Sequence, residues 1–298
     1  MVSPLTVRKP RASALPTWYS SSFVQLSATL RLILVVVAAT ISGVMNSVAG
    51  GGTLLTFPAL VGLGITPIVA NATSTVALWP ASLSSIVGYR EDLRGALPWA
   101  GAFALPSLFG GAVGALLLMH TSPERFSAIV PWLVLGATAL FILQEPVMRA
   151  IARRQDSEGS NLAYHVGAGT DAVRTASLPS PSILFYQFLV SIYGGYFGAG
   201  VGILMLAVLG FVGLTNIHRM NGLKNWGGLC MNALAALLFA FSQLVNWPVA
   251  LSMAAGALVG GYTGSRVARR VGERAVRLAI IIIGLGSGVV MLVGRLHG

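Results

Sequence analysis

Long uncharged, apolar stretches dominate the chain. No Asp, Glu, Lys or Arg occurs from Leu32 to Tyr89, nor within 95–123, 126–144, 175–218, 225–265 or 278–294. A bilayer core of about 30 Å is crossed by about 20 apolar residues of helix, so the longest runs hold more than one crossing. The pattern predicts ten apolar helical segments, at 28–49, 53–64, 71–89, 96–119, 124–145, 182–198, 201–213, 219–241, 247–265 and 274–295. Segments 53–64 and 201–213 are too short to span untilted. Each directly follows a glycine cluster, Gly50-Gly51-Gly52 in one case and Gly194-Gly195 with Gly198 and Gly200 in the other. The expected fold class is all-α, a polytopic membrane protein with short broken or re-entrant helices after its glycine-rich motifs.

The polar stretches divide the chain. Residues 1–27 read as a disordered basic arm carrying Arg8, Lys9 and Arg11. They resemble the start of a signal peptide, but no A-x-A cleavage pattern follows, so a retained first helix is expected. Residues 28–148 form a first membrane repeat and 149–181 a polar linker with Arg149, Arg153, Arg154, Asp156, Glu158, Asp171 and Arg174. A second membrane repeat occupies 182–298.

The halves match each other. Leu108–Gly114 aligns with Leu258–Gly264, Glu124-Arg125 with Glu273-Arg274, Gly64-Ile-Thr66 with Gly213-Leu-Thr215, and Asn71-Ala72 with Asn221-Gly222. Every match falls at nearly the same offset, which marks a duplicated five-segment unit. Duplicated membrane units are typical of secondary transporters, whose sites form between repeats from broken helices. An odd number of crossings per unit makes the repeats inverted. Loop charges support this: Arg266, Arg269 and Arg270 have no basic counterpart around His120–Pro123, whereas Arg90–Arg94 is charged and 242–246 is not. Equivalent loops would then face opposite sides. Strict inversion also places the basic arm outside, against the same rule. Either 53–64 is re-entrant or the arm is a weak signal.

Composition sharpens this picture. The chain is 55% hydrophobic with mean hydropathy +0.79 and 9% charged residues, against about 25% charged in soluble domains. Its net charge of +11 sits at the ends of apolar runs, where basic residues orient helices and meet anionic headgroups. No basic, aromatic-interleaved surface is left for nucleic acid. A lone Cys230 excludes an intrachain disulfide or a cysteine metal cluster. All eight acidic residues lie in loops or at segment edges, so a midplane carboxylate relay is not expected. No catalytic constellation and no nucleotide-binding arrangement is present, and no cofactor or metal is expected.

The motifs Ser42-Gly43…Ala49-Gly-Gly-Gly-Thr53…Phe57-Pro58-Ala59-Leu60 and Asn71-Ala72-Thr73-Ser74, with Tyr193-Gly-Gly195…Gly198-Ala-Gly200 and Asn221-Gly222-Leu223-Lys224-Asn225, carry a resemblance. In their order, spacing and duplication the chain resembles the TauE/SafE sulfite exporter family, also called the toluene sulfonate uptake permease family. The resemblance covers nearly all of 30–295. It implies a bacterial inner-membrane carrier of small sulfur-containing anions, sulfite or sulfonates, working in export. The basic arm and the long central linker depart from it.

The residues supply their own account of binding. Helix breaks are tolerated inside a bilayer only where they are buried or line a cavity. Half-helices starting after Gly50, Gly51 and Gly52, or after Gly198 and Gly200, would aim positive dipole ends at an anion. Thr53 and Thr56 add hydroxyls. For Gly110, Gly111, Gly114 and Gly260, Gly261, Gly264, close helix packing is the expected role. Lys224 stands between Asn221 and Asn225 inside an apolar segment; the other lysine, Lys9, is in the arm. A charge at membrane depth is normally paired or faces a watery cavity. With no acid near it in sequence, Lys224 either meets an anionic substrate or snorkels to the interface beside Arg219. The repeat-equivalent segment offers Asn71, Thr73, Ser74 and Thr75 without a charge. Asn46 and Asn232 are amides explained equally by helix–helix hydrogen bonds, and Trp79, Trp226 and His218 read as packing or headgroup-level residues.

The expected function is secondary transport of a small sulfur oxyanion or organosulfonate, with the lipid bilayer and a small anionic substrate as partners. Homo-oligomerisation is left open. The alternatives are a carrier or channel for another small anion such as a carboxylate, and a non-transporting scaffold subunit. An intramembrane enzyme lacks the acid and histidine pairs it would need.

Overall fold

The computed structural model describes residues 28–48, 50–159, 178–214, 216–267 and 273–296. Among these residues there are eleven helices and no strand. In the first half they are α1 Ala28–Val48, α2 Thr53–Gly62, α3 Pro67–Gly88, α4 Arg90–Arg94, α5 Leu97–Met119 and α6 Pro123–Gly159. In the second half they are α7 Pro181–Tyr196, α8 Val201–Phe211, α9 Ile217–Phe241, α10 Trp247–Val267 and α11 Glu273–Leu296. Each of the ten expected segments has its helix. α4 is additional, a single mixed-charge turn that hydropathy cannot reveal. The basic arm and residues 160–177 of the linker lie outside the described residues. The start of the linker is helical, because α6 continues to Gly159 as a 37-residue helix, about 55 Å long and so longer than the ~30 Å bilayer core.

Local chemistry fixes where the short helices end. Gly64 (φ +98°) and Gly213 (φ +92°) close α2 and α8 in the left-handed conformation. Behind them Ile65 N donates to Leu60 O at 3.1 Å and Leu214 N to Leu209 O at 3.1 Å, the long return bond of a glycine-terminated helix. Pro67 then opens α3, in the first turn where a missing N–H costs nothing. Asn216 caps α9 by accepting from His218 N at 3.0 Å and Arg219 N at 3.1 Å.

The two halves pack reciprocally. α1 lies along α10, and its counterpart α7 lies along α5. α3 also packs on α10, as its counterpart α9 does on α5, while α3 meets α9 and α6 meets α11. Glycines permit the closest of these approaches. A methyl on Gly110 would stand 2.6 Å from Phe188 O, and one on Gly114 would stand 2.1 Å from Ile192 O. On the other pair, a methyl on Gly260 would stand 1.9 Å from Thr40 O, and one on Gly264 2.7 Å from Val44 Cα. Helix packing accounts for these motifs, as small residues do between helices in lipid.

Polarity is reversed relative to a soluble domain. The outer faces present Phe109, Trp132, Phe185 and Leu251, and Phe241 is 83% exposed. The interior buries Ser42, Thr56, Asn71, Thr73, Ser74, Ser82, Gln187, Ser191, Asn221, Lys224 and Asn225. Apolar surfaces of this extent are stable against hydrocarbon, not water. Among the described residues, three helical stretches are long and apolar enough to cross a bilayer: Thr29–Ser47, Leu97–Met119 and Pro123–Val147. The chain is a membrane protein.

Candidate functional site

The site begins with two helix breaks. α1 ends at a turn in which Gly50 (φ +73°) and Gly51 (φ +126°) adopt backbone angles closed to other residues. α7 ends the same way at Gly198 (φ +78°) and Gly200 (φ +75°). The hydrogen bonds match: Gly50 N donates to Met45 O at 3.1 Å, and Gly198 N to Tyr193 O at 3.3 Å. Gly52 and Gly200 are the N-caps of α2 and α8. A methyl on Gly50 would lie 2.7 Å from Gly202 Cα, so the breaks of the two halves touch backbone to backbone.

Helix C-termini leave carbonyls without partners, and here each broken helix is capped from the opposite half. Lys224 of α9 is 3% exposed, and its Nζ donates to Asn46 O at 3.1 Å and Ser47 O at 3.3 Å, in the last turn of α1. Asn225 Nδ2 adds a bond to Ser47 O at 3.1 Å. Reciprocally, Asn71 Nδ2 of α3 donates to Tyr196 O, the last residue of α7, at 2.9 Å. Lys224 therefore does not snorkel toward Arg219, which lies against Gly95 at the end of α4. A cation at the negative end of α1 is favourably placed. Among the described residues no carboxylate pairs with Lys224; the ion pair found joins Arg149 to Glu145 on α6. An ammonium has three donors, and the two carbonyls leave one for the cavity beside it.

That cavity lies between the breaks and α3 and α9. Thr53 and Val201, the first residues of α2 and α8, both line it, as do Gly198, Gly202, Lys224 and Asn225. Asn46, Thr75, Ser82 and Asn232 complete the polar lining, and Leu78, Met205 and Met231 the apolar part. No carboxylate lines it among the described residues. Two positive helix ends, a buried ammonium and neutral amides and hydroxyls thus surround one space. This arrangement suits an oxyanion.

Of the residues expected from sequence, Thr53, Gly198, Lys224 and Asn225 meet at the cavity. Gly50, Gly51, Gly52 and Gly200 shape the breaks without lining it; a methyl on Gly51 would touch Phe141, and one on Gly200 would touch Ala137. Asn71 caps α7. Thr73 faces away, its Oγ1 accepting from Asn246 N at 3.0 Å. Ser74 pairs with Thr56, hydroxyl to hydroxyl at 2.6 Å, so Thr56 is spent inside the protein. Asn221 is buried one turn before Asn225. Trp79 and Trp226 donate to Leu229 O at 3.2 Å and Ala100 O at 2.7 Å, as packing residues do. His218 sits beside Tyr89, ring centroids 6.5 Å apart.

Thr75, expected in the neutral cluster of α3, does line the cavity, whereas Asn46 and Asn232 read equally as helix–helix amides and Ser82 carries no signal of its own. A periodic signal marks the face they occupy. Counting from Asn71 at helical spacing gives Thr75, Leu78 and Ser82; from Asn221 it gives Asn225, Gly228 and Asn232. All six line the cavity, at corresponding positions of the two halves.

Asn71→Ala removes the donor to Tyr196 O. It is expected to cost about 1–3 kcal/mol, the penalty of a buried unpaired carbonyl. Thermal unfolding in detergent measures this, and an unchanged midpoint would remove Asn71 from the account of the second break.

Comparisons with known proteins identify the family. A family model described as "Sulfite exporter TauE/SafE" matches residues 34–291. The "Probable membrane transporter protein ORF9" of a Sinorhizobium species is 28% identical over 270 residues, covering 88% of this chain and 92% of that protein. "Probable membrane transporter protein YfcA" of Escherichia coli K12 is 26% identical, covering 82% and 83%. "Probable membrane transporter protein YunE" of Bacillus subtilis is 24% identical, covering 86% and 96%. No solved structure matches the chain significantly. Through a match that spans both breaks, both caps and the cavity between them, the chain belongs to the TauE/SafE sulfite exporter family.

Proposed function

We propose that the protein is a secondary carrier exporting a small sulfur-containing anion, sulfite or an organosulfonate, through the bacterial inner membrane. The observation that carries this reading is the convergence of the α2 and α8 N-termini with buried Lys224 on one cavity that has no carboxylate among its described lining residues. The family description supplies the sulfur chemistry; the relatives' names supply transport. The activity is transport, not catalysis. The chain crosses the membrane many times, and its halves are inverted repeats. Their reciprocal packing supports that arrangement. Rocking of the repeats about the glycine contact between Gly50 and Gly202 would open the cavity to either side in turn.

Purified protein in liposomes tests the reading. Sulfite or methanesulfonate efflux above the empty-vesicle rate is expected, with acetate left behind. Movement of acetate alone would replace the substrate with a carboxylate. If no anion moves, the chain is not a carrier of this kind. Export predicts that energised inside-out membrane vesicles accumulate sulfite and that right-side-out vesicles do not.

A further inference from the structure

We infer that the cavity is matched to one negative charge, so that it takes a monoanion (an organosulfonate, or sulfite in its hydrogensulfite form) and discriminates against a dianion of the same shape. This rests on the anion-carrier reading and deepens it. Four helix ends meet around the cavity. The N-termini of α2 and α8, at Thr53 and Val201, each bring about half a positive charge, and the C-termini of α1 and α7 each bring about half a negative one. These cancel. The C-terminal ends lie close enough to count, since the α1 carbonyls of Asn46 and Ser47 hold the Lys224 ammonium. Likewise Gly198, two residues beyond the end of α7, lines the cavity itself.

What remains is Lys224. Among the described lining residues it is the sole formal charge; the others are hydroxyls, amides, glycines and apolar side chains. The site therefore carries about one net positive charge. A monoanion entering it leaves the buried region neutral. A dianion loses the hydration of both charges and recovers compensation for one, and an unpaired buried charge is strongly unfavourable. The neutral donors hold oxygens and fix orientation, and do not change the balance. Repeat symmetry reaches the same result, because Ser74 occupies in α3 the place of Lys224 in α9.

Methanesulfonate and sulfate differ little in size and by one charge, which makes them the probes. With the full-length protein in detergent, bound radiolabelled methanesulfonate is displaced by unlabelled methanesulfonate or sulfate. Sulfate is expected to need at least about tenfold higher concentration. The methyl group's contact with Leu78 or Met231 is separated from charge by Ser82→Lys, which adds a second cation and keeps the apolar lining. That variant is expected to move the ratio toward sulfate by about tenfold or more; Thr75→Lys repeats the test on another turn of α3. Sulfate competing as well as methanesulfonate on the wild type, or a ratio unmoved by either lysine, overturns the charge match while leaving the anion site standing. If methanesulfonate and sulfite both fail to bind, the anion reading itself falls and the charge match with it.

Discussion

Lys224→Gln is expected to abolish anion flux while leaving the protein folded, and Lys224→Ala to abolish flux and weaken the fold as well. The difference lies in what the ammonium does at each end. Toward α1 it donates to Asn46 O and Ser47 O; a glutamine amide retains a donor for that turn, and alanine retains none. With alanine Asn46 O loses its donor while Ser47 O keeps Asn225 Nδ2, and a buried carbonyl left without a partner costs about 1–3 kcal/mol. Toward the cavity, under the proposed function, it would supply the charge that balances an anion. Losing one member of a buried charge pair costs about 3–5 kcal/mol, or about two to three and a half orders of magnitude in affinity. Flux in liposomes and thermal unfolding in detergent read the two ends separately. Lys224→Arg keeps the charge in a planar fork of different reach, so part of the flux is expected to survive. Full flux in Lys224→Gln would sink the anion role and leave Lys224 as a cap of α1 alone.

The second large effect concerns glycines that look alike in sequence. Gly111→Ala places a methyl 1.9 Å from Met231 O, and Gly260→Ala places one 1.9 Å from Thr40 O. The opposing atoms are backbone, so whole helices must separate. A cost of about 3 kcal/mol or more is expected, at the upper end for overpacking. Gly101→Ala and Gly136→Ala meet nothing within 4 Å. These changes are expected to be neutral or to stabilise by up to ~1 kcal/mol through helix propensity. Folded yield and unfolding temperature in detergent should divide the four variants into two pairs. Equal behaviour of all four would remove close packing as the reason for the glycine motifs of α5 and α10.

What could be read from sequence was whatever one residue type decides alone. A left-handed turn before a short apolar helix needs glycine, so both breaks were visible at Gly50–Gly52 and Gly198–Gly200. A lysine in an uncharged run stands out, so Lys224 was visible too. Rotation about a helix axis was harder. Thr73 and Ser74 fall with Asn71 in the segment equivalent to 221–225, but neighbours in a helix point apart by about 100°, and Thr73 meets the start of α10 instead. Ser82 lies three turns on, beyond Pro80, where a serine in an apolar run has no feature of its own. Its face becomes apparent only when the 71–82 and 221–232 stretches are laid over one another. The partner of Lys224 was also hidden: backbone carbonyls of α1 have no signature in sequence, and the contact spans most of the chain.

The reciprocal packing of the halves bears on how such a site can arise. An assembly of two identical chains supplies every residue twice. At the centre of a homodimer of this unit there would be two lysines or none. Two would press like charges together in a buried space; none would leave an anion without a counter-charge. One ammonium at a position where the other half has a serine, Lys224 in place of Ser74, requires the halves to differ, and they can differ independently only when one chain encodes both. A single chain carrying both halves can thus give the centre of the protein an odd charge, which no symmetric pair can have.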